Sequence, residues 1–157
     1  GLQGTISSDQ EVDILSGTVN WMATTNVSAQ LGVNMVYDQM VTGSVNANSI
    51  IASRISRFSS DYVTYNAIVM IALDETADLQ VDYYNYSADN SRAIQVQTLP
   101  YGMEADEQVF GVTYSKRLSA NTIFSLRVVM SNYSEPSSGG YMDYDSTLIY
   151  GRMQMRF

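Results

Sequence analysis

The sequence predicts an all-β protein, an antiparallel transmembrane β-barrel of about eight strands, and three observations lead there. Apolar and polar residues alternate with period two through most of the chain, which puts them on opposite faces of strands. Short polar turns and long polar segments follow one another in a fixed order, so the two ends of the sheet differ. Charged residues make up only 15% of the chain, against roughly 25% in an average soluble domain, while tyrosine occurs twelve times.

The alternation defines seven strands, at about 12–24, 28–40, 61–73, 78–88, 107–118, 122–133 and 146–157. In the first, Val19, Trp21 and Ala23 oppose Thr18, Asn20 and Met22. The second sets Ala29, Leu31, Val33, Met35 and Tyr37 against Gln30, Gly32, Asn34, Val36 and Asp38. The third has Val63, Tyr65, Ala67, Val69, Ile71 and Leu73 on its apolar face and a mixed opposite face. The fourth alternates Ala77, Leu79, Val81 and Tyr83 with Asp78, Gln80, Asp82 and Tyr84. The fifth and sixth place Phe110, Val112, Tyr114, Phe124, Leu126, Val128 and Met130 on the apolar side, and Arg117, Ser125 and Arg127 on the other. In the last, Ile149, Gly151, Met153, Met155 and Phe157 oppose Tyr150, Arg152, Gln154 and Arg156. An eighth strand comes from residues 2–7 (LQGTIS) or from residues 47–58, where Arg54 and Arg57 fall on opposite faces.

Short turns are expected at residues 25–28, 74–77 (DETA) and 118–121 (LSAN), and long polar segments at about 41–60, 88–106 and 134–145. Counted back from Phe157, every short turn lies at the end of the sheet that holds the C-terminus. A soluble sandwich also alternates, but this asymmetry belongs to barrels with tight turns on one side of a membrane and long loops on the other. Strands of 9–13 residues suit a tilted crossing of ~9–11 residues. Neither Pro100 nor Pro136 interrupts a strand, and no apolar run approaches the ~18 residues of a membrane helix, the best being 65–73 (YNAIVMIAL).

The remaining composition narrows the function. At 157 residues, the chain is one domain, 1–157. Eight Lys and Arg against sixteen Asp and Glu give a net charge of −8, which excludes nucleic acid as a partner because phosphate neutralisation needs clustered cations. With neither cysteine nor histidine, disulfides, thiolate metal sites and the commonest general base are absent. No cofactor is expected. No basic n-region precedes the first strand, so the sequence predicts no signal peptide; either one has been removed or a longer chain precedes Gly1.

The terminal run 150–157 (YGRMQMRF), alternating and ending on Phe157, resembles the C-terminal strand of bacterial outer-membrane β-barrels. Residues 109–128 (VFGVTYSKRLSANTIFSLRV) resemble a porin-type periplasmic hairpin. The resemblance covers the pattern of most of residues 12–157 and is at the level of the class. It implies the bacterial outer membrane as location, membrane lipid and lipopolysaccharide as surroundings, and Phe157 as part of the signal read by the barrel-insertion machinery. A second likeness, carried by residues 81–90 (VDYYNYSADN), is to the large barrels that sheathe multihaem cytochromes. Trp21, Tyr37, Tyr65, Tyr83, Tyr114 and Phe157 project on the proposed lipid face, as interfacial girdles do. The strands form a closed small barrel or the C-terminal part of a larger one that other strands or a partner protein complete.

The proposed lumen face carries Asp78, Gln80, Asp82, Arg117, Arg127, Arg152, Gln154 and Arg156, with Arg127, Arg152 and Asp82 near mid-height. A small barrel fills its interior with such side chains as buried pairs; a wide one leaves them lining water. Lys116 faces lipid beside a turn, where it snorkels to the headgroups. Twelve of the sixteen acids fall in the long loops or at that rim. Two groups, Glu104, Asp106 and Glu107, and Asp143 with Asp145, are oxygen-rich enough to consider for Ca²⁺ or Mg²⁺ but lack EF-hand spacing. A solvated acidic surface is the plainer reading of them. Outer-membrane proteases, lipases and acyltransferases use a histidine, and the one lysine, Lys116, lies at the end away from the loops; the sequence predicts no enzyme. It predicts a passive channel or conduit scaffold with a polar lumen and acidic outer loops. The alternatives are a small plugged barrel with a structural or adhesion role and, third, a secreted β-sandwich or pilus-like subunit.

Overall fold

In a computed structural model the described residues are 8–44, 53–54, 58–59, 61–89, 104–136 and 139–156. They form nine strands: β1 (Ser8–Thr24), β2 (Val27–Ser44), β3 (Ser53–Arg54), β4 (Phe58–Ser59), β5 (Tyr62–Ala72), β6 (Ala77–Asp89), β7 (Glu104–Ser119), β8 (Thr122–Ser134) and β9 (Tyr144–Met155). The seven long ones are the seven the alternation predicts. They pair in chain order, all antiparallel, as one meander β1-β2-β5-β6-β7-β8-β9.

All three tight turns are closed by one local device. A side-chain oxygen accepts the backbone N–H two residues on: Thr24 from Asn26 (3.2 Å), Asp74 from Thr76 (2.7 Å) and Ser119 from Asn121 (3.3 Å). Two-residue hairpins normally need left-handed residues to match strand twist. No non-glycine residue among the described ones has positive φ, and the hairpins after β1 and β7 instead shift register by one, at Met22/Thr24 and Arg117/Ser119. At the far end, before β9, Gly139 and Gly140 do adopt left-handed φ of 74° and 83°, which glycine tolerates best.

Because directly opposed residues share a face, the register fixes both surfaces of the sheet. One carries a continuous apolar band: Val19 and Trp21, Leu31 and Val33, Ala67 and Val69, Leu79 and Val81, Phe110 and Val112, Leu126 and Val128, Ile149 and Met153. Charges bound it, Lys116 at the tight-turn end and Asp13, Asp106 and Asp145 at the loop end. Nothing among the described residues covers this band. Trp21 is 64% exposed, Ile149 64% and Met153 55%, and among the described residues the buried apolar ones are Val36, Ala77, Ala88 and Ala105. Among the described residues the sheet is a single layer, with no second layer packed on it to close a core.

The expected closed, eight-stranded small barrel does not form. Among the described residues β1 pairs only with β2 and β9 only with β8, so each leaves one backbone edge open. Closure needs an eighth strand and a ladder between first and last. Residues 2–7, the first candidate, lie outside the described residues. The described residues of the second, 47–58, fall in β3 and β4, which pair with β2 at Gly43–Ser44 and Gln39–Met40 respectively. They prolong the side of β2 that β5 occupies and add no width. Phe157 also lies outside the described residues.

Candidate functional site

The eight residues expected to line a lumen fall on the face opposite the apolar band, arranged in cross-strand rows. Nearest the tight turns, Arg117, Ile123 and Gln154 stand side by side on β7, β8 and β9. The next row runs Asp78, Ser115, Ser125, Arg152 from β6 to β9, with the two serine hydroxyls 2.9 Å apart. Then come Gln80, Thr113, Arg127 and Tyr150, and after them Asp82, Gly111, Val129 and Leu148. Arg156 follows β9, its backbone N–H donating to the Asn121 carbonyl at 3.0 Å. The face is mixed, carrying Ile68 and Met70 on β5 as well.

These charges do not meet as the network of pairs expected of a filled interior. Among the described residues one ion pair forms: Arg127 Nη2 donates to Asp82 Oδ2 at 2.7 Å, with the two side chains 27% and 18% exposed. The same carboxylate accepts from Gln80 Nε2 at 3.2 Å through its other oxygen. Asp78, Arg117, Arg152 and Arg156 stay outside this arrangement, because two strands separate Asp78 from Arg152 and the row between them is serine. Arg152 sits one row nearer the tight turns than Arg127, so only Arg127 and Asp82 hold the middle.

Gly111 is the residue sequence reasoning missed. It stands directly beside Asp82 on β7, and a Cβ there would come within 2.5 Å of Asp82 Oδ2 and 2.9 Å of Arg127 Nη2. The missing side chain is the space through which the arginine reaches. A polar-face glycine between an acid and a base is the signal that register alone makes readable.

Tyrosines also occupy this face. Tyr37, Tyr65, Tyr83 and Tyr114 lie on the apolar side as expected, with Trp21, but Tyr62, Tyr84, Tyr86, Tyr133, Tyr144 and Tyr150 lie on the polar side. Towards the loop end a row runs Tyr86, Glu107, Tyr133, Tyr144, with the last two rings stacked at 5.3 Å. Tyr62 meets Tyr86 at 5.6 Å. The girdle reading therefore accounts for only part of the tyrosine content.

The acidic groups considered for metal are dispersed by the pleat. Glu104 and Asp106 point to the face opposite Glu107, as alternate residues of one strand must. Asp143 Oδ1 accepts the Glu135 backbone N–H at 2.6 Å, and Asp145 Oδ1 accepts from Asn132 Nδ2 at 2.7 Å. The described residues bring no group of three carboxylates together. Comparison with protein-family models, curated proteins and solved structures finds no match to this chain.

Proposed function

We propose that this sheet is part of the wall of a bacterial outer-membrane β-barrel, with the apolar band toward lipid and the mixed polar face toward a water-filled lumen, and that the barrel is a passive channel or conduit. The observation that carries the reading is the uncovered apolar band on a one-layer sheet. A β-sandwich buries such a band against a second sheet, and none is present among the described residues. In lipid the same band is satisfied by acyl chains, and its bounding charges, Lys116 and Asp13, Asp106 and Asp145, fall where headgroups begin. β5, at 11 residues, matches a single crossing of ~9–11 residues. β1 and β2, at 17 and 18 residues, run on beyond it toward the acidic loop end.

Open backbone edges are not tolerated in hydrocarbon, so on this reading further strands, from the same protein or a partner, close the circle between β9 and β1. That favours a wide lumen over a small plugged one. Asp78, Gln80, Asp82, Arg117, Arg127, Arg152, Gln154 and Arg156 then line water and bias which ions pass. No step of chemistry is assigned to them, and the protein is proposed not to be an enzyme.

The test is electrophoretic mobility of detergent-extracted protein, boiled and unboiled, followed by planar-bilayer recording. A heat-dependent shift together with step conductances is the expected result. Protein that stays soluble without detergent and shows no shift overturns the reading in favour of a secreted sandwich. A shift without conductance retains the barrel and removes the channel.

A further inference from the structure

The arginines of the polar face are unequal. Arg127 has a carboxylate; Arg117, Arg152 and Arg156 have none among the described residues. The nearest acid on their face, Asp78, is diagonal to Arg117 across the β6–β7 ladder and forms no ion pair with it. Backbone hydrogen bonds fix the main chain at both end arginines, whose side chains are exposed. Arg117 N–H donates to the Thr76 carbonyl at 2.7 Å and Arg156 N–H to the Asn121 carbonyl at 3.0 Å. Between them lies a pocket of about 220 Å³, lined by Arg117, Ala120, Asn121, Ile123, Gln154 and Arg156. Every ionisable group in that lining is cationic, and its neutral polar members, Asn121 and Gln154, each carry an amide NH₂ donor. Arg152 adds a third positive charge one row above Gln154's neighbour Ile123, beside Ser125.

We propose that this pocket is an oxyanion site that takes a phosphate-class group. Two arginines lining one cavity suit a tetrahedral oxyanion, because a guanidinium fork can donate two parallel N–H···O bonds where an ammonium offers a point charge. The field supports the same ligand. Twelve of the chain's sixteen acids lie toward the other end of the strands, and at this end the four cations Lys116, Arg117, Arg152 and Arg156 outnumber the three acids Asp74, Glu75 and Asp78. An acidic chain thereby keeps a locally attractive site for an anion. The phosphate belongs either to a soluble solute or to a lipid headgroup at the rim, and the site does not depend on the sheet closing into a channel.

Inorganic phosphate titrated into detergent-solubilised protein at constant ionic strength, with chloride as the balancing anion, tests this by ³¹P line broadening. Saturable broadening is expected, weakened about tenfold or more in an Arg117→Gln, Arg156→Gln double variant. Asp78→Asn, which removes the nearest acid on that face, should tighten it. Should the double variant fail to fold, Arg156→Lys, beyond the end of β9, keeps the charge and still loses the fork; it should weaken binding severalfold. Titration unchanged by these substitutions, or broadening that never saturates against the chloride background, overturns the site. Reconstitution into phosphatidylcholine vesicles with and without phosphatidylglycerol separates the sources: loss of phosphate binding only in the anionic vesicles identifies the headgroup, and retention in both identifies a soluble solute.

Discussion

Arg127 on β8 and Asp82 on β6 are two strands apart, and they meet at 2.7 Å because the intervening strand has Gly111 beside the carboxylate. Two inter-strand spacings are ~9.6 Å, within the reach of an arginine only if nothing stands in the way. The pair is thus a three-strand feature: it ties β6 to β8 across β7 at the middle of the polar face.

Its energetic coupling should be measurable and should depend on the glycine. In a double-mutant cycle, Asp82→Asn and Arg127→Gln are expected to couple by about 1 kcal/mol, the upper end for exposed pairs, because this one is largely buried. In a Gly111→Ala background the methyl occupies the path, and the coupling should fall to about zero. Urea titration of the folded protein reads both; equal coupling with and without the methyl contradicts the role given to Gly111.

The assignment of faces predicts a sharp asymmetry between neighbours. Leu126 lies mid-band on the apolar face and Ser125 on the polar one, hydrogen-bonded to Ser115. Leu126→Arg should cost about 2–4 kcal/mol in a lipid bilayer, the price of a cation at the midplane of a barrel's outer surface. Ser125→Arg should cost well under half of that. Equal losses in bilayer-reconstituted protein would mean the faces are exchanged.

Two glycines of adjacent strands separate close approach from mere smallness. A Cβ on Gly32 would run into the amide of Asn66, which leans over it from β5, while on Gly17 the nearest atom is Val33 Cγ1 at an ordinary 3.7 Å. Gly32→Ala should therefore destabilise by about 1–3 kcal/mol through overpacking. Gly17→Ala should stay within about 0.5 kcal/mol. Matched denaturant midpoints for the two variants would show that Asn66 simply moves aside.

The hairpin between β5 and β6 should respond to acid. Asp74 accepts from both the hydroxyl and the backbone N–H of Thr76, each at 2.7 Å, and these bonds hold its carboxyl below the ordinary carboxylate range. A depressed folded-state pKa means the stabilisation is fully present above the unfolded value and disappears as pH falls through the folded one. Asp74→Asn should thus lower the denaturation midpoint at pH 7 and leave it closer to wild type at about pH 3, below the usual Asp pKa of ~3.9. A difference that stays constant with pH assigns the turn's stability to something other than the charge.

Much of this molecule is legible locally. The seven long strands, their faces and the three tight turns follow from alternation and from Ser, Thr, Asp and Asn at turn positions, all of which act within a few residues. Asp82 and Arg127 are both recognisable as polar-face charges at mid-height. What is not legible is that they choose each other while Asp78 and Arg152 do not. That depends on which residue stands beside each acid on β7, glycine beside Asp82 and serine beside Asp78, and so on a register spanning three strands. The polar-face tyrosines were obscured for a related reason: alternation places Tyr84 and Tyr150 there, but the row joining Tyr86, Glu107, Tyr133 and Tyr144 exists only once β6 to β9 are aligned.

The sequence by itself determined an all-β chain with one apolar and one mixed face, because side-chain direction along a strand has a period of two and needs no partner to be read. It took the tertiary structure to show that, among the described residues, the sheet is a single open layer with unpaired edges on β1 and β9, that one ion pair bridges β7 at Gly111, and that three arginines of the same face form no ion pair. Those outcomes rest on hydrogen-bond ladders between strands far apart in the chain, and on what each ladder sets side by side.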